Sequence, residues 1–274
     1  MFCTVAAFYS DSHLICLISD IHGNLSDLLS MERVIWRHLP AGANLVFLGD
    51  YVDRGKWSFE CAVYVLALKA LFPHKVTLLR GNHETRELQI KYSFQLECTT
   101  KFDDDDGMAI WSLLNQVFDR LPVVAILDDA IYCAHGGIPK SAPTLAEIAN
   151  QPLDISSPDQ DNPVVWETVW SDPLHPSQFL QLCEYTGEES SHKEGFAMNI
   201  KRGAAWFFND EAVNRFFATN GLTHMVRAHE VVSWFYGFCV LHLFSFRFQR
   251  MALPFTLIRN APQSFAGQYS FYDI

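Results

Sequence analysis

Four short segments of this sequence place Asp, His and Asn side chains in one order: Asp20-Ile21-His22-Gly23-Asn24, Gly49-Asp50-Tyr51-Val52-Asp53-Arg54-Gly55, Gly81-Asn82-His83-Glu84 and His135-Gly136-Gly137. Mixed carboxylate and imidazole donors suit divalent ions of the manganese, iron and zinc type. A pair of such ions needs one bridging carboxylate, with the ions roughly 3.5–4 Å apart. Asp50, ending the central strand of three, is the natural bridge. Asp20 and His22 alternate at a strand end and can point toward one ion. Asn82 and His135 would hold the second, completed by His229 in Arg227-Ala228-His229-Glu230. Such ions would lower the pKa of a shared water and yield hydroxide near neutral pH, for in-line attack on phosphorus. His83 is placed to give the leaving alkoxide a proton, with Asp53 orienting the imidazole. Arg54 suits bidentate contact with phosphate oxygens.

The elements that must carry these residues are legible around them. Leu14–Ile18 is a continuous apolar run, as in a buried parallel strand. Asn24–Leu39 has apolar residues at helical spacing, with Ser26 as a cap, and Pro40 and Gly42 close it. Leu45–Leu48 reads as the next strand, Ser58–Phe72 as a helix stopped by Pro73, and Val76–Leu79 as the third strand. This β-α-β-α-β order predicts a parallel α/β sheet with its ligands beyond the carboxyl ends of the strands. Glu84 to Leu121 reads as helical, interrupted by a solvated loop at Asp103-Asp104-Asp105-Asp106-Gly107. Val123–Leu127 and Ile131–Cys133 read as a hairpin, so the second half is expected to add antiparallel strands. Residues 150–164 are rich in Pro, Ser and Asp and read as a loop. Asn209–Asn220 reads as an amphipathic helix closed by Gly221, and Thr223–Arg227, Val231–Tyr236 and Phe238–Phe244 read as strands. Each motif alone is weak, since a lone Asp-x-His at a strand end is more often structural. Their agreement in order, donor type and strand-end placement points to a metal-dependent phosphoesterase.

Composition narrows the partners. The 274 residues are 49% hydrophobic, enough for a substantial core, with a net charge of −11 and a pI of about 5.4. That charge argues against general nucleic-acid binding, which rests on neutralising phosphates. No stretch is long and apolar enough for a membrane helix. The first basic residue is Arg33, so a signal peptide's basic start is missing. The seven cysteines form no C-x-x-C pair and read as reduced, buried thiols. A cytoplasmic and/or nuclear location is expected.

The same residues resemble the phosphoprotein phosphatase (PPP) family of serine/threonine phosphatases, within the calcineurin-like metallophosphoesterases. The likeness covers about residues 14–245. It is closest over Phe47–Gly55 through Ser58 and Glu60, over Leu78–Glu84, over Leu121-Pro122 and the hairpin into Ala134–Ile138, over Val169–Pro173 and over Arg227–His229. It implies one catalytic domain over 1–274, a central mixed β-sandwich flanked by helices, and hydrolysis of phosphoserine and phosphothreonine in proteins. Asp20, His22 and Asp50 match one metal's ligands; Asp50, Asn82, His135 and His229 match the other's. His83 with Asp53 matches the proton donor, Arg54 a phosphate-binding arginine, and Arg202 the region of a second one. The resemblance further implies two ions (manganese, or iron with zinc), phosphoprotein substrates and regulatory subunits. Glu230 stands where Gln is usual, beside His229. Only 19 residues precede Asp20, so the family's helical leader is expected to be mostly missing. Residues 246–274 diverge: Phe246-Arg247-Phe248 follows Ser245 in place of Ala-Pro-Asn-Tyr, and the active-site tyrosine has no counterpart. The alternatives are a non-protein phosphoesterase, such as a dinucleotide polyphosphate hydrolase, and a catalytically weak scaffold.

Overall fold

A computed structural model describes residues 5–10, 13–40, 42–152, 154–187, 194–230, 255–258 and 271–272. Strands β2 (His13–Ile18), β3 (Asn44–Phe47) and β4 (Val76–Leu78) lie parallel. Helices α1 (Leu25–Val34) and α2 (Ser58–Leu71) connect them. Strand β1 (Val5–Ser10) runs antiparallel to β2. Beyond it lie β11 (Phe255–Ile258) and β12 (Phe271–Tyr272), so the sheet order is β12-β11-β1-β2-β3-β4. A second sheet is built from the hairpin β5 (Val124–Leu127) and β6 (Ile131–Ala134) with β10 (His224–Val226), in the order β10-β6-β5. The short helices α3 (Arg86–Lys91) and α6 (Leu145–Ala149) follow β4 and β6 along the chain. At the hairpin turn Asp128 and Asp129 have φ of +52° and +54°, and Ala130 N–H donates to Leu127 O at 3.0 Å. This is the primed geometry that strand twist favours.

Side-chain alternation gives each face of the first sheet a different neighbour. Cys16, Ile18, Leu45, Phe47, Val76 and Leu78 pack on α1 and α2, and on α4 (Phe94–Phe102) and α5 (Asp104–Phe118). Ile15, Leu17, Val46, Leu48 and Leu79 meet Cys133 and Val226 of the second sheet, and Ala228 just past its end. That sheet's outer face, through Tyr132, Ala134 and Met225, packs on Val213, Phe216 and Phe217 of α10 (Asp210–Asn220). The layers are therefore helix, sheet, sheet, helix, the expected mixed sandwich. Burial on both faces explains why β2 and β3 read as unbroken apolar runs. A short third sheet, β7 (Asp172–Pro173), β9 (Trp206–Phe208) and β8 (Phe196–Met198), completes the strands.

Several local expectations are corrected. The cap of α1 is Asn24, whose Oδ1 accepts from Asp27 N–H at 3.1 Å, and not Ser26. The helix stops at Val34 and a 3-10 turn, Trp36–His38, follows. The acidic run is the first turn of α5, where carboxylates favour the positive end of the helix dipole. The break before it is one residue, Asp103, at φ +62°. Residues 150–164 are partly helical: α7 (Pro158–Asp161) and α8 (Pro163–Trp170) each begin on a proline at N1, where its missing N–H costs nothing. α9 (Pro176–Thr186) begins the same way. The second half adds antiparallel pairs as expected, β5 with β6 and β8 with β9, while β10 joins β6 in parallel. The strands expected at Val231–Tyr236 and Phe238–Phe244, and the altered segment after Ser245 up to 254, lie outside the described residues.

Candidate active site

Every expected metal-ligating and proton-donating residue sits just past the carboxyl end of a strand. Asp20 and His22 follow β2, Asp50 and Asp53 follow β3, Asn82 and His83 follow β4, His135 follows β6 and His229 follows β10. The backbone ties these turns into a ring. Ile21 N–H and His22 N–H both donate to Asp50 O at 2.9 Å. Glu84 Oε2 accepts from Asp50 N–H (2.7 Å) and Gly81 N–H (2.9 Å), and Oε1 from Tyr51 N–H (2.8 Å). Ala228 N–H donates to His135 O at 3.0 Å. His229 N–H returns to Asp20 Oδ1 at 3.3 Å. Gly81 has no substitute here, because a Cβ would collide with Asp50 Oδ1. Ten described non-glycine residues have positive φ, and five of them are His22, Asp50, Asp53, Arg54 and His229. Left-handed backbone costs roughly 1–3 kcal/mol per residue and concentrates where a site demands it.

Inside the ring, acceptor atoms face one another. His22 Nδ1 donates to Val52 O at 2.9 Å and His135 Nδ1 to Leu48 O at 2.8 Å, so each Nε2 points inward. Asp50 Oδ2 lies between them, 3.3 Å from His22 Nε2 and 3.4 Å from His135 Nε2. Asn82 Oδ1 is 2.9 Å, and His229 Nδ1 3.1 Å, from that same His135 nitrogen. Ligand atoms of Asp50, His135 and His229 lie within 4.8 Å of one another, as do those of His22, Asp50 and His83, so Asp50 is common to both groups. Asp20 stands at the edge, its Oδ1 3.9 Å from His135 Nδ1. Buried oxygens and imidazole nitrogens that converge in this way need positive charge among them, a proton or a metal ion. The donor set of Asp20, His22, Asp50, Asn82, His135 and His229 therefore fits two borderline divalent ions.

The electrostatics agree. Burial works against a charged His135, yet the Asp50 carboxylate overrides it and pushes its pKa up to about 9. Burial, then the charge of His135, holds His229 well below its ordinary value. Burial likewise opposes the Asp50 carboxylate, but His135 and His83 outweigh it and keep it ionised. Without a cation, the pair His135–His229 thus carries a proton on His135, which a bound ion would displace.

His83 differs from His22 and His135 because its Nδ1 meets a carboxylate and not a backbone carbonyl. Nδ1 is 2.7 Å from Asp53 Oδ2 and Nε2 is 3.3 Å from Arg54 Nη2. Asp53 is fixed in turn by Phe94 N–H at 3.0 Å. Burial pushes its carboxyl up, and the bond from His83 works against that. Arg54 is exposed, with its guanidinium carbon 5.3 Å from the Tyr92 ring centre. Arg202 Nε donates to Asp172 Oδ2 at 2.8 Å and its Nη2 to His229 O at 3.2 Å. A cleft of about 220 Å³ opens over His22, Asp50 and His229, flanked by Arg54, Lys201, Arg202 and Glu230. The structure thus brings together all ten expected residues. Glu230 turns toward Lys201 (2.7 Å) and Arg227 (3.3 Å).

Three residues that spacing did not single out hold this arrangement. Asp172 bridges Arg202 and the buried Arg227, which also donates to Gly136 O. Glu84 clamps two motif turns with one carboxylate. Burial and the charge of Asp50 push its pKa up to about 7. Glu84→Ala would strand three backbone donors, and each unsatisfied buried donor costs roughly 1–3 kcal/mol. A loss of about 3 kcal/mol or more in urea denaturation is expected, with Glu84→Gln intermediate. Equal stability of Glu84→Ala and the unsubstituted protein would refute the clamp.

The chain matches the model of the calcineurin-like phosphoesterases over residues 13–233. It is 34% identical over 217 residues to a protein phosphatase 2A catalytic subunit of Dictyostelium discoideum, covering 79% of this chain and 62% of that protein. It is 35% identical over 219 residues to the serine/threonine-protein phosphatase 6 catalytic subunit of Drosophila melanogaster, covering 80% and 64%. The chain thus spans less than two thirds of the length of these relatives. A solved serine/threonine phosphatase from Saccharomyces cerevisiae, with similarity to human phosphatase PP5, superposes with a TM-score of 0.62 at 28% identity, covering 80% of this chain and 61% of that one. The relatives are of the kind that the Tyr51–Gly55 and Gly81–Glu84 motifs resemble. With four fifths of its length inside one family model, the chain belongs to the calcineurin-like phosphoesterases.

Proposed function

We propose that the chain hydrolyses phosphoserine and phosphothreonine esters of proteins, using two metal ions, manganese or an iron–zinc pair. The observation that carries this reading is the convergence of imidazole, amide and carboxylate ligand atoms on Asp50, beside an imidazole paired with its own carboxylate. Asp20, His22 and Asp50 would hold one ion, and Asp50, Asn82, His135 and His229 the other. Ions bound there supply Lewis acidity at the phosphate and a water acidic enough to attack phosphorus near neutral pH. Arg54 and Arg202 bind and orient the phosphoryl oxygens. As the water oxygen bonds to phosphorus, the bond to the Ser or Thr oxygen breaks, and protonated His83 gives its Nε2 proton to that oxygen. Asp53 holds Nδ1–H and stabilises the charged imidazole before transfer. Phosphoprotein substrates and regulatory subunits are part of the same proposal, because the relatives are named as catalytic subunits of protein phosphatases, and a cytoplasmic or nuclear setting is proposed with them from the cysteines read as reduced thiols.

The test is Mn²⁺-dependent turnover of a phosphothreonine peptide, with metal content read by mass spectrometry. Asp50→Asn is expected to weaken metal binding at least about tenfold, since even groups behind the ligands matter by 10- to 100-fold. Full metal content and full activity in that variant would sink the reading.

A further inference from the structure

Among the described residues, the ion-pair network beside the cleft has one cation more than it has carboxylates. Lys201, Arg202 and Arg227 face Asp172 and Glu230, three cations against two carboxylates. The arginines are fixed: Arg227 is 1% exposed and paired with Asp172 at 2.6 Å, and Arg202 is held between Asp172 and His229 O. Lys201 is the loose member, its side chain 62% exposed and paired with Glu230 at 2.7 Å. Glu230, 18% exposed, keeps Arg227 at 3.3 Å and Arg202 at 3.9 Å if Lys201 leaves. An exposed ion pair is weak, so exchanging Glu230 for another carboxylate costs Lys201 little. Lys201 shares the cleft with His22 and Asp50, so a group beside a bound phosphate comes within its reach.

We infer that Lys201 is a specificity residue that binds an acidic side chain carried by the substrate next to its phosphorylated residue, while Glu230 holds Lys201 at the cleft until then. The inference rests on the phosphatase reading and deepens it by naming the substrate class, phosphopeptides with Asp or Glu beside the phosphoresidue. The net charge of −11 repels such peptides at long range. A preference for them therefore needs a local cation that can exchange its partner at little cost, and Lys201 supplies it.

The test compares two phosphothreonine peptides, with Glu or Ala beside the phosphothreonine, and their non-hydrolysable phosphonate analogues, on the manganese-loaded full chain. The Glu peptide is expected to bind about two- to fivefold more tightly, the span of one exposed ion pair, and the ratio should shrink at high salt. Lys201→Gln should bring the ratio to one, and Glu230→Gln, which releases Lys201, should raise it. An unchanged ratio in Lys201→Gln, or no preference at low salt in the unsubstituted protein, overturns the inference. Phosphonate affinities need no turnover. A chain that binds them without hydrolysing phosphopeptides therefore counts against the phosphatase reading alone.

Discussion

Replacing His83 with Asn is expected to lower kcat on a phosphothreonine peptide by about a hundredfold to ten-thousandfold, the span for losing a general acid, with metal content retained. The geometry separates His83 from the ligand imidazoles. His22 and His135 each give one nitrogen to a backbone carbonyl and turn the other inward. His83 instead places Nδ1 against a buried carboxylate at 2.7 Å, and its Nε2 faces Arg54 at the cleft. An aryl phosphate whose phenolate leaves without protonation should lose far less than the peptide. The competing role is concrete, because ligand atoms of His22, Asp50 and His83 lie within 4.8 Å of one another. If His83→Asn loses a metal ion and slows both substrates equally, His83 is a ligand and the proton must come from elsewhere.

The parts legible in the sequence are those where local pattern and final position coincide. Strands β2, β3 and β4 are buried on both faces, so their apolar runs needed no tertiary information. Each ends in a turn whose Asp, His or Asn could point only past the sheet edge, which is why the donor set was readable before any fold was. Proline misled around residues 150–164, because the sequence does not say whether Pro158 and Pro163 stop a helix or start one. Helix starts were also missed where the cap lay elsewhere: Asn24 competed with Ser26 and won by reaching Asp27 N–H. Glu84, Asp172 and Arg227 lie within motifs, yet spacing gives them no role, since their function depends on partners far away in the chain. Glu84 holds Asp50 and Tyr51 across 34 and 33 residues, and Asp172 meets Arg227 across 55. No spacing rule reaches that far. The direction in which Glu230 turns is likewise set by partners, Lys201 and Arg227, that only the fold assembles.

Asp172→Ala is expected to destabilise the protein by about 3–5 kcal/mol, the cost of leaving a buried charge without its partner, and to raise KM for phosphopeptides. Asp172 is fully buried and Arg227 1% exposed, and their 2.6 Å contact is the centre of the network. Burial alone would raise the Asp172 pKa; Arg227 and Arg202 outweigh it and hold the carboxyl below the usual aspartate value. The sign of the pH dependence follows. A depressed folded pKa stabilises at pH above the unfolded value of about 3.9, and that contribution disappears as the pH falls through the folded pKa. The stability gap between the two proteins should therefore be full at neutral pH and narrow in acid. A second substitution separates the two roles of Asp172. Asp172→Ala with Arg227→Met removes both buried charges, and such replacements are often neutral or stabilising, so much of the lost stability should return. KM should stay high, because Arg202 Nε still lacks the oxygen that held it at 2.8 Å. Recovery of stability together with normal KM would show that Arg202 needs no anchor. Failure to recover stability would show that the bond from Arg227 to Gly136 O, next to His135, is worth as much as relief of the unpaired charge.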